Sequence, residues 1–501
     1  MKKRIFAALL ALCLTALTGC DWSTADPEDI FGTLTDYYNV EQKKQDVKLT
    51  SFALPYLKGE TADSITCPDG AMQTLGALLY EGLFALDGSF APQPALAESY
   101  TYDAARYTYT ITLRSGVTFS AVTAQDVVNS LRRAQSSARY SGRLAEVSDI
   151  RASGGAVRIT LTGDNRSFVS RLDIPIVKSG TESSTFPTGT GPYAYSGEGG
   201  AHLAKNASWW QGKSLPLERI ELTACKDTDS VSYAFYAREV QLLFCDLTGA
   251  DDSSVYGSGD YTDAATTIMQ YLCLNTRRAP FDDPAVRRAV TLGVDRASCV
   301  SAYLLGHGLA AQFPVSPASG LYPKDLETAY SQDGYASALE AAGLNTGKTR
   351  SLTLLVNQES SFRVSTAQTI AAGLSRCDLQ VTVRSLPYDE YVQALEQGDF
   401  DLCLCQVKLT ADWDLRPLLQ SYAAMNYGGF TDPETDALLA ALCAAEAGER
   451  SAAMTALCEK RLDQAPMVPV CFKSYSVLLP AGAASSPITP TASNPFYGIS
   501  D

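Results

Sequence analysis

The tightest constraint on how this chain folds lies between residues 350 and 414. Leu352, Leu354 and Val356 alternate, as do Leu379, Val381 and Val383, and each set predicts a strand. Between them Phe362, Thr366, Ile370 and Leu374 fall at helical spacing, and Tyr388, Tyr391, Val392 and Leu395 repeat that spacing after the second strand. Leu402 to Val407 is then a mostly apolar run without alternation, which suits a strand buried on both faces. Strand, helix, strand, helix, strand is the order of a parallel sheet covered by helices. Open sheets of this kind bind ligands beyond the carboxyl ends of their strands. The loop Lys408 to Asp414 lies at such an end and is the first candidate for a binding site.

Around this unit, 501 residues are too many for one core and predict two or three domains. A formal charge of −15 argues against nucleic acid as a partner, since that needs a basic surface. Cationic or zwitterionic ligands are compatible with it, and solubility explains it equally well. Lys2, Lys3 and Arg4 precede the apolar run Ile5 to Leu17, the order of a secretory signal that is short for a membrane span. Loss of those three cations with residues 1–19 takes the formal charge from −15 to −18. The run closes with Leu17-Thr18-Gly19-Cys20, which resembles the lipobox of bacterial lipoproteins and implies cleavage before Cys20 and a lipid on it. The mature chain is then expected outside the cytoplasmic membrane, held by that lipid on an acidic, polar tether over 20–46. Removing Cys13 and Cys20 from the thirteen cysteines leaves eleven, with no CxxC pair for zinc. Most read as small core residues, and Cys403 and Cys405 share one strand face, a poor geometry for a bond to each other.

Other elements are legible along the chain. Met72, Leu75, Leu79 and Leu83 predict a helix over about Ala71 to Phe84, and Tyr107, Tyr109, Ile111 and Leu113 one face of a strand. Val157, Ile159 and Leu161 form another alternating strand, and Thr123 with Asp126 predicts an acidic capping box. Pro284 behind Asp283 and Pro433 behind Asp432 mark helix starts. Gly189, Gly191 and Pro192 predict a tight turn, and Trp209 and Trp210 are expected in a core. His202 and His307 show no Asp, Ser or Cys partner nearby in sequence. No GxSxG, HExxH, Walker or dinucleotide fingerprint occurs, and no cofactor is expected.

Taken in order, several segments resemble the extracellular solute-binding proteins of family 5. They include Tyr80-Glu81-Gly82-Leu83, Pro94-Ala95-Leu96-Ala97-Glu98-Ser99, Leu113-Arg114-Ser115-Gly116-Val117-Thr118-Phe119 and Thr123 to Val128. Gly189-Thr190-Gly191-Pro192-Tyr193, Leu274-Asn275-Thr276, Pro280-Phe281-Asp282-Asp283 and Val286-Arg287-Arg288-Ala289-Val290 continue the series. Gly398-Asp399-Phe400-Asp401, Asp432 to Asp436 and Ala465 to Pro469 close it. The chain departs from the family after Phe119, where Ser120-Ala121-Val122 replaces a His-Asp-Gly type turn, and at Leu409, where an aromatic is common.

The resemblance implies a two-lobed α/β fold of the periplasmic-binding-protein type, with an extra subdomain and a ligand cleft between lobes. Residues 47–269 and 471–501 would build the first lobe, 80–163 the extra subdomain, and 270–470 the second lobe. It further implies a monomeric receptor that captures short peptides by lobe closure and hands them to the permease and ATPases of an ABC importer, without catalysis. On the residues alone Asp412 reads as an N-cap for a helix starting at Trp413; the resemblance makes it the carboxylate that pairs with a peptide's amino terminus. The main chain of Lys408, Leu409, Thr410 and Ala411 would pair with the peptide backbone, with Trp413, Asn275 and Tyr427 as further cleft candidates. The alternatives are the same fold around a sugar, an opine or a signalling peptide, or a secreted hydrolase with a non-obvious site.

Overall fold

The computed structural model of the chain describes residues 52–117, 122–248, 259–480 and 488–497. The leader, Cys20, the tether, the altered turn at Phe119 to Ala121 and the start of the tail at Ala481 lie outside the described residues.

The predicted parallel unit forms the heart of a seven-stranded sheet. Arg350–Asn357 lies between Leu379–Leu386 and Leu402–Lys408 and runs parallel to both, with Leu354 opposite Val383 on one side and Leu402 on the other. Helices Ser361–Leu374 and Tyr388–Gln397 make the crossovers. Successive side chains of a strand point to opposite faces, so Leu402 and Leu404 enter one apolar cluster and Cys403 and Cys405 the other. Burial on both faces holds from Leu402 to Cys405; Gln406 and Lys408 are exposed.

A separate core surrounds two four-stranded sheets built from the first half of the chain. One is the parallel pair Ala53–Leu57 and Arg219–Cys225 extended by His202–Lys205 and Tyr193–Ser196. The other is antiparallel, with Tyr109 and Ile111 buried as expected but Tyr107 exposed in the left-handed region at φ 50°. The capping box forms as read: Asp126 N donates to Thr123 Oγ1 at 3.2 Å and Thr123 N to Asp126 Oδ2 at 2.8 Å. The early helix is shorter than expected, Gly70–Leu79, with Phe84 already in a strand. Tyr80 leaves the helix in an extended conformation and its hydroxyl donates to Pro187 O at 3.0 Å. Gly82 then passes so close to the Asp173 backbone that a Cβ there would lie 2.9 Å from its carbonyl carbon.

Two long antiparallel strands join the cores. Gly259–Leu274 and Met467–Pro480 pair from Gly259 opposite Pro480 to Cys273 opposite Met467. Their register slips between Ala265 and Met269 and again between Gln270 and Tyr271. At one end Val477 and Leu478 belong to the first core; at the other Val468 and Val470 belong to the second. Thr266 Oγ1 bridges the slip, donating to Lys473 O at 2.7 Å, and Thr267 Oγ1 donates to Leu409 O at 2.7 Å beyond the neighbouring strand Leu402–Lys408. An irregular two-strand ribbon is a natural place for the cores to bend about each other.

Candidate functional site: the cleft between the cores

Where the strand Leu402–Lys408 ends, a cleft of about 2460 Å³ opens between the two cores. Gln406, Lys408, Leu409, Thr410, Ala411 and Arg363 line it from the second core. Glu81, Arg139, Tyr140, Arg143 and Trp209 face them from the first, and Phe90, on the turn after Phe84–Leu86, lines the cleft while packing into the second core. Asn494 to Tyr497 of the tail also line it.

Part of the main chain here is already committed. Leu409 N donates to Thr267 O at 2.9 Å, its carbonyl accepts from Thr267 Oγ1, and Trp413 N donates to Thr410 O at 2.9 Å. The Thr410 N–H and both polar backbone groups of Ala411 make no hydrogen bond among the described residues.

Asp412 does not cap a helix, since the next helix spans Arg416–Leu419. Its Oδ2 accepts from Arg171 Nε at 2.7 Å and from Asn165 Nδ2 at 2.8 Å, and its carbonyl accepts from Arg450 Nη2 at 2.6 Å. Its Oδ1 is buried without a partner, and the residue is not on the cleft lining. Arg171 joins elements of both cores. Its other nitrogens reach Glu146 Oε1 at 3.2 Å and Asp414 Oδ2 at 3.0 Å. Arg416 closes the network on Asp414 and Glu146, each at 2.8 Å. Burial opposes charge on Arg171, but Asp412, Glu146 and Asp414 outweigh it and hold its proton more tightly than usual. Burial likewise raises Asp414, yet the hydrogen bond and charge of Arg416, with Arg171, leave its carboxyl below the usual range.

The other predicted site residues do not line the cleft. Trp413 is buried at φ 54°, edge-on to Phe90 and to Phe472 at 5.1 and 5.9 Å between ring centres. Asn275 ties a loop, donating from Nδ2 to Gly398 O at 3.1 Å and Phe400 O at 2.9 Å. Tyr427 lines a small separate hollow with Leu418, Met425 and Met467.

Trp209 is corrected in the opposite direction, since it lines the cleft, whereas Trp210 packs against the first core as expected. Both are only half-buried, and their indole N–H groups donate to Glu81 at 3.2 and 2.7 Å, joined by Gln211 at 2.9 Å. Burial raises the Glu81 carboxyl above its usual range, and these donors offset that only in part. His307 also gains neighbours invisible in sequence: Asp263 Oδ1 at 3.0 Å and Ser476 Oγ at 3.4 Å, both on Nδ1. A hydrolytic triad needs the carboxylate on one ring nitrogen and the nucleophile on the other, so this cluster lacks that geometry. All eleven body cysteines are free; nine are buried, Cys245 is half-buried and Cys377 exposed. Cys403 Sγ lies 3.3 Å from Cys405 Sγ on their shared face.

Arg171, Glu146, Arg139 and Arg143 escaped the sequence reading. An arginine inside Phe168-Val169-Ser170-Arg171-Leu172 is a usable signal, because a charge in an apolar run needs a buried partner. Arg139 and Arg143 carry no such mark.

Residues 91–424 match the model of the bacterial extracellular solute-binding proteins, family 5 Middle. The glutathione-binding protein GsiB of Shigella flexneri serotype 5b (strain 8401) is 28% identical over 294 residues, 54% of this chain and 55% of that protein. The match thus spans about half the length of that curated relative. A periplasmic murein tripeptide binding protein, MppA, in its unliganded open form superposes with a TM-score of 0.72 at 18% identity, covering 86% of this chain and 93% of that one. A nickel ABC transporter structure from Bacillus halodurans gives 0.72 at 21% identity, covering 86% and 94%. Both share the two-lobed fold.

Proposed function

From the premise that this chain belongs to the bacterial extracellular solute-binding proteins of family 5, we propose that it is a lipid-anchored receptor for short peptides. It captures them by closing its lobes and delivers them to the permease of an ABC importer, whose ATPases drive uptake. The observation that carries this reading is the 2460 Å³ cleft at the carboxyl end of the Leu402–Lys408 strand. It is larger than the roughly 300–1,000 Å³ usual for a small-molecule pocket, which suits an extended ligand of several residues. The uncommitted amides of Thr410 and Ala411 support pairing with a peptide backbone, a contact indifferent to side chains. The relative named for glutathione and the fold neighbour named for a murein tripeptide support a short peptide. Asp412 retains one oxygen without a hydrogen bond, and an ammonium that reached it would compete with Arg171 for this carboxylate.

Incubating the purified protein with a mixed peptide pool and analysing bound and free fractions by mass spectrometry tests the receptor. Intact bound peptides are expected; shortened products or an empty bound fraction would refute it. The anchor is tested separately: Cys20→Ser should leave the chain unprocessed or release it from the membrane fraction, and unchanged processing and retention would place the anchor elsewhere.

A further inference from the structure

Two arginines of the second core, Arg296 and Arg461, are buried with no counter-charge in contact among the described residues. They are 6% and 3% exposed, and each of their hydrogen-bond partners is a neutral carbonyl. Arg296 opens the helix Arg296–Tyr303 and donates from Nε to Pro469 O at 2.9 Å and from Nη1 to Thr291 O at 3.1 Å and Val294 O at 3.3 Å. Arg461, near the end of the helix Arg450–Gln464, donates from Nη1 to Met467 O at 3.1 Å and lies over the Phe313 ring at 5.2 Å. Three of their nitrogens, Arg296 Nη2 and Arg461 Nε and Nη2, are buried without a hydrogen bond among the described residues. The carbonyls of Met467 and Pro469 stand two residues apart on one strand, roughly 7 Å. The guanidiniums that reach them are therefore neighbours, and no other charge acts on Arg296 as strongly as Arg461 does. The carboxylate that acts on Arg296, Glu327, is exposed and already accepts from Tyr322 Oη at 2.6 Å.

We propose that Arg296 and Arg461 form a site for a small monovalent inorganic anion, of the size and charge of chloride, held by these three unpartnered nitrogens. A guanidinium keeps its proton at neutral pH, so two like charges sit together out of water, and buried charges call for a partner. One anion between them offsets that charge and supplies the acceptor the nitrogens lack. Water would satisfy the donors and leave the charge unbalanced. The ring of Phe313 and the buried thiols of Cys299 and Cys458 beside the arginines make an apolar surround that favours a small ion over a phosphate or an organic acid. The state of the pair agrees: burial, and for Arg296 the charge of Arg461, bring both guanidiniums down to about 10. Neither arginine lines the cleft, so the site is separate from the ligand's. Its work is mechanical, since the anion ties two helices to Met467 and Pro469, where the strand that crosses to the first core begins.

Scanning calorimetry on the mature protein, purified in sodium gluconate, follows stepwise replacement of gluconate by chloride at constant ionic strength. The parent's melting temperature is expected to rise by at least about 2 °C and to saturate, as for one bound ligand. Arg461→Gln keeps an amide donor and removes a charge, and should lose that rise; Arg461→Lys restores the charge and should regain part of it. Crystals of the parent grown in sodium bromide decide the matter without any variant, and an anomalous peak is expected between the two guanidiniums. Ordinary water there with no anomalous signal overturns the site. So does a rise that never saturates, which reports a general salt effect, or one that survives in Arg461→Gln.

Discussion

Lys408 ends the strand that the sequence marks most clearly, and its state makes ligand affinity depend on pH. The Lys408 side chain is exposed to the open cleft, but the walls beside it withdraw water from its ammonium and, with Arg139 and Arg143, lower it to about 8; a carboxylate bound there raises that value by favouring the charged form. Affinity for a ligand that brings a carboxylate to Lys408 should therefore be full below about pH 8 and decline as pH rises from there through the higher bound value. Binding near pH 8 should take up protons, seen as a calorimetric heat that changes with the buffer's ionisation enthalpy. The groups facing Lys408 do not blur this window: Arg139 and Arg143 look across from the first core, and even Arg143, lowered by burial, titrates only at about 10. A flat affinity between pH 7 and 9, within about twofold, would remove Lys408 from the binding contact. For the fold the sign is reversed, since the unfolded chain holds this proton more tightly and the ligand-free protein gains stability between about 8 and the usual lysine value. The position of Lys408 was readable from strand order alone. Its charged surroundings were not, because Arg139 and Arg143 come from another core, and sequence periodicity says nothing about which distant residues share a gap.

At the scale of elements, pattern length decided what could be read. The parallel unit formed as expected because each strand and helix repeats its period several times and the crossovers fix their order. Shorter signals were less faithful. Trp209 is expected in a core because it is large, yet it lines the cleft, where its N–H and that of the core-packed Trp210 hold Glu81. The Gly189-Thr190-Gly191 segment was expected to be a turn, but the glycines serve close approach. Added Cβ atoms at Gly189 and Gly191 would lie 2.1 Å from Leu79 O and 2.2 Å from Leu78 O, and Gly191 N donates to Leu79 O at 2.9 Å. The segment is thus pressed against the end of the Gly70–Leu79 helix. Gly191→Ala should cost at least about 2 kcal/mol in denaturant unfolding, through overpacking against backbone that cannot yield. A change below about 0.5 kcal/mol would mean that the helix end shifts freely.

Across the whole molecule, Arg171 makes the most buried of the ion pairs that tie the cores, beside Arg416–Glu146 and Arg166–Glu446. Removing it as Arg171→Ala leaves Asp412 with Asn165 but without an ion pair among the described residues, while Glu146 and Asp414 keep Arg416; breaking a buried pair typically costs about 3–5 kcal/mol. Separation of the cores hydrates those carboxylates, whereas unfolding sacrifices both cores as well. The variant should therefore show a larger radius of gyration by small-angle scattering with a melting temperature close to the parent's. In the parent, saturating ligand should reduce that radius. An unchanged radius with a large fall in melting temperature would make the network an internal brace of the fold. The ring contacts beside this network carry one more consequence. Phe90 reaches from the first core to the indole of Trp413, which Phe472 flanks at the start of the slipped register. Separation of the cores trades one aromatic edge for water, so the indole's emission moves to longer wavelength, and recapture moves it back. The protein carries an unlabelled optical gauge of its own state, fast enough for mixing experiments, and Phe90→Leu would mute it.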